Sequence, residues 1–204
     1  SVIALDGDAL YLVAPIAEEK QLLPNLASTP MARVQLDRAD RTLLASGGDA
    51  VAAFRAALEE WKLLVAAALC GLSREALRLA SAYASERMQF GQLIGTFQGI
   101  SHPLADIMAE TDGGRFLIWR TIRDIADGDA RAGAEVSLAL WWNARTAGRA
   151  VAQALHTFGG YGLTTEYDIH LYNLRAKAWP LVAGDPQDFL AEAGRRLYAG
   201  EAAA

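Results

Sequence analysis

The sequence contains a single cysteine, Cys70, and only three histidines, His102, His156 and His170. One thiol excludes a disulfide framework and suits a reducing cytoplasm; within an apolar helical run it reads as a small buried residue. The histidines are spaced wrongly for a metal. A di-iron bundle needs Glu-x-x-His pairs on two helices, and the nearest approach, Glu166 with His170, is one residue too long, while His102 and His156 have no acid at ligand spacing. No Ser-His-Asp set stands out by spacing either. A charge-free run of about 18 apolar residues is missing, so no helical membrane span is expected. Excess basic charge is also absent. The net charge is −5 and the basic residues are scattered among acids, which argues against a nucleic-acid partner. The opening SVIALDGDALYLVAP has neither a methionine nor the basic start of an export signal, and reads as part of something longer.

What is present is alanine-rich and periodic. The 204 residues, 52% hydrophobic, suffice for one large domain with a real core. The first part reads as strand: Val2 to Leu5 and Ala9 to Val13 flank an Asp-Gly-Asp turn, a hairpin signal, and ARVQLDRA alternates Val34 and Leu36 with polar neighbours. So few strands cannot make a sheet that stands alone, so they are expected to be the end of an incomplete β-domain, residues 1–45.

From SGGD onward the period lengthens. Asp49 can cap a helix whose stripe runs through Val51, Phe54, Leu58, Trp61, Val65, Leu69, Leu72, Ala76, Leu79 and Tyr83. Roughly 35 residues at about 1.5 Å each make a rod on the order of 50 Å, which needs partner helices to cover it. A second helix is expected from Ser101 to Pro103 onward, with Ile100, Leu104, Ile107, Ile118, Ile122 and Ile125 inward and DGDAR at its end. Gly113 and Gly114 inside it point to the close approach of a neighbour. A third helix, with Val136, Leu140, Ala147, Val151 and Leu155, ends at FGGYG. A shorter fourth contains Tyr172 and Trp179, and a terminal one bears Phe189 and Leu197. Short loops between long amphipathic helices predict a mostly α fold, an antiparallel bundle over residues 46–204.

FGGYG can be read as a phosphate loop, but it follows a helix rather than a strand, and a glycine C-cap explains it about as well. Its position relative to RMQFGQLIGTFQ changes that. The first supplies Gly159, Gly160, Tyr161 and Gly162 in HTFGGYG; the second supplies Arg87, Phe90, Gly91 and Gln98. Together they resemble the acyl-CoA dehydrogenase family, in which the first helix of the C-terminal bundle ends in Arg-x-x-Phe-Gly followed by Gln, and the third ends in Gln-x-x-Gly-Gly-Tyr-Gly. His156 stands where the family usually has that glutamine. Leu174, Arg175, Ala176 and Lys177 loosely match the family's next segment. The resemblance covers about the last three quarters of the chain, and the opening strands fit the tail of the family's middle β-domain.

The resemblance implies FAD as cofactor, an acyl-CoA thioester as substrate, and a dimer or tetramer, homomeric or mixed, in which a neighbouring bundle contacts the flavin. On that reading Arg87 pairs with the pyrophosphate, Phe90 offers an apolar face, and the Gly159 and Gly160 backbone admits the adenine end, with Gln98 and His156 at the remaining motif positions. The family's base is a glutamate at one of two places, which here hold Ala183 and Trp61. Asp185 and Glu60 are the nearest carboxylates, the first two residues away, the second about 100° around the helix. Pro180 is a further departure, removing a backbone donor before the site. The resemblance therefore implies a subunit that keeps the flavin frame while the base comes from elsewhere. The alternative is a helical assembly module that has kept the fold and lost the cofactor.

Overall fold

The computed structural model describes residues 1–16, 20–25, 27, 29–33, 35–36 and 38–198. The chain divides into two compact units, Ser1–Trp61 and Lys62 onward.

In the first unit, β1 (Val2–Asp6) and β2 (Ala9–Ala14) form the expected hairpin, with Asp6 opposite Ala9 and Gly7 turning the chain at φ +61°. The third strand of this sheet is not ARVQLDRA. Two residues of that stretch, β4 (Ala32–Arg33), pair only with β3 (Gln21–Leu22), while Val34 lies outside the described residues. The place beside β2 is taken by β5 (Asp40–Ser46), giving the order β1-β2-β5. Its adjacent leucines, Leu43 and Leu44, break the period of two that would have marked it as a strand. Both are about half exposed, as is Ile3, whereas Val13 of β2 is buried.

Helix α1 (Gly48–Glu86) is longer than its periodicity suggested. Asp49 lies inside its first turn rather than capping it, and the amides of Ala50 and Val51 bond to the Gly47 carbonyl. Of the stripe read from the sequence, Leu69, Leu72 and Ala76 are buried, whereas Leu58 and Trp61 are more than a third exposed.

The second unit is a helical bundle centred on α3 (Ala132–Phe158), whose Ala139, Ala147, Ala150 and Ala154 are fully buried. Helix α2 (Gln98–Ala126) starts three residues before Ser101 and carries Pro103 inside it. It runs antiparallel to α3: Gly114 faces Asn143 near the middle, and Arg120 meets Glu135 near one end. Helix α4 (Ile169–Ala178) leaves Trp179 to a following 3-10 turn (Trp179–Ala183). Helix α5 (Pro186–Tyr198) buries Phe189, exposes Leu197, and crosses back so that Arg196 donates to the Gly133 carbonyl at 2.7 Å. Among the described residues no helix is long and apolar enough to cross a membrane.

The inner face of α2 departs from expectation in its second half. Ile122 and Ile125 point outward, and Thr121 and Asp124 take their places. Burial of these polar groups is tolerated because each is bonded: Thr121 Oγ1 donates to the Leu117 carbonyl at 2.8 Å, and Arg123 grips Asp124 Oδ1 at 2.5 and 2.8 Å. Arg120 donates to Glu135 Oε1 at 2.5 Å and lies 3.5 Å from Asp124 Oδ2. Asp124 Oδ2 and Glu135 Oε2 are buried with no hydrogen-bond donor among the described residues. A proton held between the two carboxyls would satisfy both. Burial, then the contact with Asp124, pushes Glu135 above the ordinary glutamate range, while the Arg123 hydrogen bonds hold Asp124 below its own.

Two predictions follow from this seam. A Cβ on Gly114 would lie 2.4 Å from Asn143 Oδ1 and 3.0 Å from the Trp142 ring, whereas one on Gly113 would make an ordinary 3.7 Å contact. Asn143 is itself buried and bonded to the Ala139 carbonyl, so it cannot yield. Gly114→Ala should therefore lower stability by about 1–3 kcal/mol despite its better helix propensity. Gly113→Ala should raise it by up to about 1 kcal/mol in the same denaturant titration. For pH, stability owed to a raised acid is complete below its unfolded pKa and lost as pH rises through the folded value. Glu135→Gln should accordingly gain in melting temperature relative to the parent as pH climbs above about 4.3, the ordinary glutamate value. A difference that stays flat up to pH 8 would show that Glu135 is ionised throughout.

Candidate functional site

The end of α1 is shaped by a tight hairpin. The Arg87 amide bonds to the Tyr83 carbonyl at 2.9 Å, and the Arg87 carbonyl accepts the Ile94 amide at 2.8 Å. Between them β6 (Met88–Gln89) and β7 (Gln92–Leu93) pair through a two-residue turn of Phe90 and Gly91, both at positive φ, +53° and +80°. Glycine accepts that conformation freely; phenylalanine does not, and it is the only non-glycine described here that adopts it. The residue is also 93% exposed, its ring meeting Phe97 in an edge contact with centroids 6.2 Å apart. A strained backbone holding an aromatic side chain in solvent is an arrangement that folding alone does not favour.

The end of α3 lies beside this hairpin. Gly159 closes the helix at φ +61°, its amide bonding back to the His156 and Leu155 carbonyls. A Cβ on Gly160 would meet nothing within 4 Å, so the backbone there is open to a ligand. The two helix ends are joined by rings. Tyr83 stacks on Phe158 with centroids 4.3 Å apart, Tyr167 sets its edge against both, and Tyr161 meets Tyr167 at 6.0 Å. Over the Tyr161 ring, 5.6 Å from its centre, sits the guanidinium of Arg87. That half-buried cation has no carboxylate partner among the described residues, so its N–H donors remain available.

Arg87 and the Gly159–Gly160 turn, predicted from separate motifs, are thus brought together in one protomer. Gln98 is exposed at the first position of α2, and His156 is exposed in the last turn of α3. The ring cluster was not foreseen. In the sequence Tyr161 belongs to a motif and Tyr83 to an apolar stripe, and no spacing links residues on different helices. The residues present suit an anionic dinucleotide: an uncommitted arginine, an open glycine backbone and an exposed aromatic face.

At the base positions, Ala183 ends the 3-10 turn and packs against the bundle core, and Trp61 lies on α1 in the first unit. Asp185 has a local occupation: its Oδ1 accepts the Gln187 amide at 2.9 Å and its carbonyl the Asp188 amide, which caps α5. Glu60 is exposed on α1. His170 Nδ1 lies 2.7 Å from the Tyr167 carbonyl, and among the described residues no group of three His, Cys, Asp or Glu could hold a metal. An open groove of about 550 Å³ between α1 and α4, lined by Gly71, Leu72, Tyr172 and Trp179 among others, contains none of the predicted site residues.

Comparison with known proteins agrees with this frame. Residues 49–197 match the model of the acyl-CoA dehydrogenase C-terminal domain. The chain is 31% identical to acyl-CoA dehydrogenase IpdE2 of Mycolicibacterium smegmatis over 137 residues, 67% of this chain and 41% of the relative. It is 32% identical to acyl-CoA dehydrogenase FadE34 of Mycobacterium tuberculosis over 183 residues, 86% of this chain and 24% of that one. Among solved structures, the ChsE4-ChsE5 complex of Mycobacterium tuberculosis superposes with a TM-score of 0.75 at 26% identity, over 94% of this chain and 50% of the other. The chain thus spans less than half the length of these two curated relatives. With the bundle, the paired motifs and more than half its residues matched, the chain belongs to the acyl-CoA dehydrogenase family.

Proposed function

We propose that this chain is the C-terminal part of an acyl-CoA dehydrogenase-type flavoprotein subunit that contributes to FAD binding without supplying the catalytic base. The observation that carries the reading is Arg87, a half-buried guanidinium with no carboxylate partner among the described residues, next to a glycine backbone with open space over it. Arg87 would hold the pyrophosphate through charge-assisted hydrogen bonds, and Phe90 would cover an apolar part of the cofactor and keep water from it. Gly159 and Gly160 would let the adenine end approach, with Gln98 and His156 as flanking polar groups. FAD, when bound, supplies the acceptor for hydride from the β-carbon of an acyl-CoA thioester.

The companion proton finds no acceptor at the two expected base positions. A general base must reach the α-carbon with a carboxylate, and Ala183 and Trp61 have none. Asp185 is engaged in capping α5. This favours a subunit whose partner carries the base, in a dimer or tetramer with a related chain. Two further features support shared assembly. Gln98, His156, Gly159, Gly160 and Phe90 are all exposed, so a ligand held by them needs a second surface to cover it. Phe116, Trp119, Ile122 and Ile125 form an exposed apolar stripe on α2, suited to another helix. We read residues 1–45 as strands of the family's β-domain, residues 46–204 as its bundle, and the protein as cytoplasmic.

The chain should be stabilised by FAD in thermal melts, and Arg87→Gln should weaken that binding by about 10- to 100-fold, the loss of a hydrogen bond to a charged group. It should not reduce an electron acceptor with an acyl-CoA unless a base-bearing partner is added. Turnover by the chain alone, abolished by Asp185→Asn or Glu60→Gln, would overturn the non-catalytic reading and identify the base. No stabilisation by FAD, with assembly intact, would leave the helical assembly module. Phe90→Asn should separate folding from function: asparagine suits positive φ before glycine, so the melting temperature should rise while FAD binding weakens.

A further inference from the structure

Arg87 is held at two points, the main chain by Tyr83 and the guanidinium by the face of Tyr161. Tyr161 is itself fixed. Its carbonyl accepts both the amide and the hydroxyl of Thr164, at 3.1 and 2.9 Å, and its ring meets Tyr167, which leans on Phe158 at 5.1 Å and Tyr83 at 5.8 Å. Phe158 stacks on Tyr83, so the row of rings begins on the last turn of α1 and ends at Tyr161, under the arginine that follows that helix.

We propose that Tyr161 is a positioning residue, whose ring face holds the Arg87 guanidinium ready for an anionic ligand and whose own place is kept by Tyr167. The proposal rests on the reading of Arg87 as a contact to cofactor phosphate. A carboxylate in place of the ring would also hold the guanidinium, but it would neutralise the charge and occupy the N–H donors that a phosphate needs. An aromatic face attracts the cation through its quadrupole and leaves those donors free. Tyr161 is 43% exposed, so the guanidinium it supports is not sealed off from an incoming anion.

The test is FAD titration of the chain and of Tyr161→Phe, Tyr161→Leu, Arg87→Gln and the Leu–Gln double variant, with NMR of the Arg87 side chain in the absence of FAD. Phenylalanine keeps the ring face and should hold Kd within about twofold, whereas leucine should weaken binding by about 3- to 10-fold. Leucine should add nothing once Arg87 is glutamine. The ring-current shift of the Arg87 δ protons should survive in Tyr161→Phe and vanish in Tyr161→Leu at unchanged melting temperature; Tyr161→Met replaces the leucine variant if that one melts early. An unchanged Kd and shift with leucine, or an equal loss from leucine in the Arg87→Gln background, overturns the proposal. If the chain takes no FAD at all, the cofactor reading falls, and the shift alone decides whether Tyr161 positions Arg87.

Discussion

The stack of Tyr83 on Phe158 fixes the end of α1 against the end of α3, and the candidate site depends on it. Helix α2 runs back between them, so α1 and α3 finish at the same end of the bundle while α2 begins there. Two helix C-termini meeting at one place concentrate partial negative charge, which would repel an anion. Arg87, immediately after α1, reverses that balance, and the N-terminus of α2 at Gln98 brings unpaired amides to the same end. The anion binding proposed for this region would therefore not be a property of any one helix end. It would arise because one cation stands where two unfavourable dipoles converge, with the Tyr161 ring under it.

Farther along, the α2–α3 seam is governed by size and polarity more than by bulk hydrophobicity. Alanine is the commonest buried residue of α3, and Gly114 lets α2 approach until Asn143 lies against its backbone. Thr111, Thr121, Asn143, Asp124 and Glu135 occupy the seam, most of them bonded to a helix carbonyl or an arginine. Ile122 and Ile125, displaced from the inside, join Phe116 and Trp119 on the outer face of α2. The same close packing that orders the bundle thus leaves an apolar stripe on its surface.

The family frame is more complete at the cofactor end than at the base. The arginine, the exposed phenylalanine and the glycine turn are all present, while the two positions expected from the resemblance to hold the base carry an alanine packed on the core and a tryptophan. Strain points the same way. Phe90 occupies a conformation that asparagine or glycine would take more easily, and its ring is almost wholly in solvent.

Much of this was legible in the chain itself, because the features that carry it are local. Helix number and order follow from apolar spacing, the α3 terminus from Gly159, the hairpin from Asp-Gly-Asp, and the family from two short motifs. Strand β5 was not legible, since Leu43 and Leu44 break the alternation that marks a strand, nor were the outward turns of Ile122 and Ile125, since periodicity counts apolar residues and cannot register that a bonded threonine or aspartate will outcompete them for the inside. Least legible was the ring row from Tyr83 to Tyr161. The sequence by itself determined which residues carry charge, glycine freedom and helical period; only the tertiary structure decided that residues more than seventy positions apart would stack, because that choice is made by close packing of side chains and leaves no trace in local spacing.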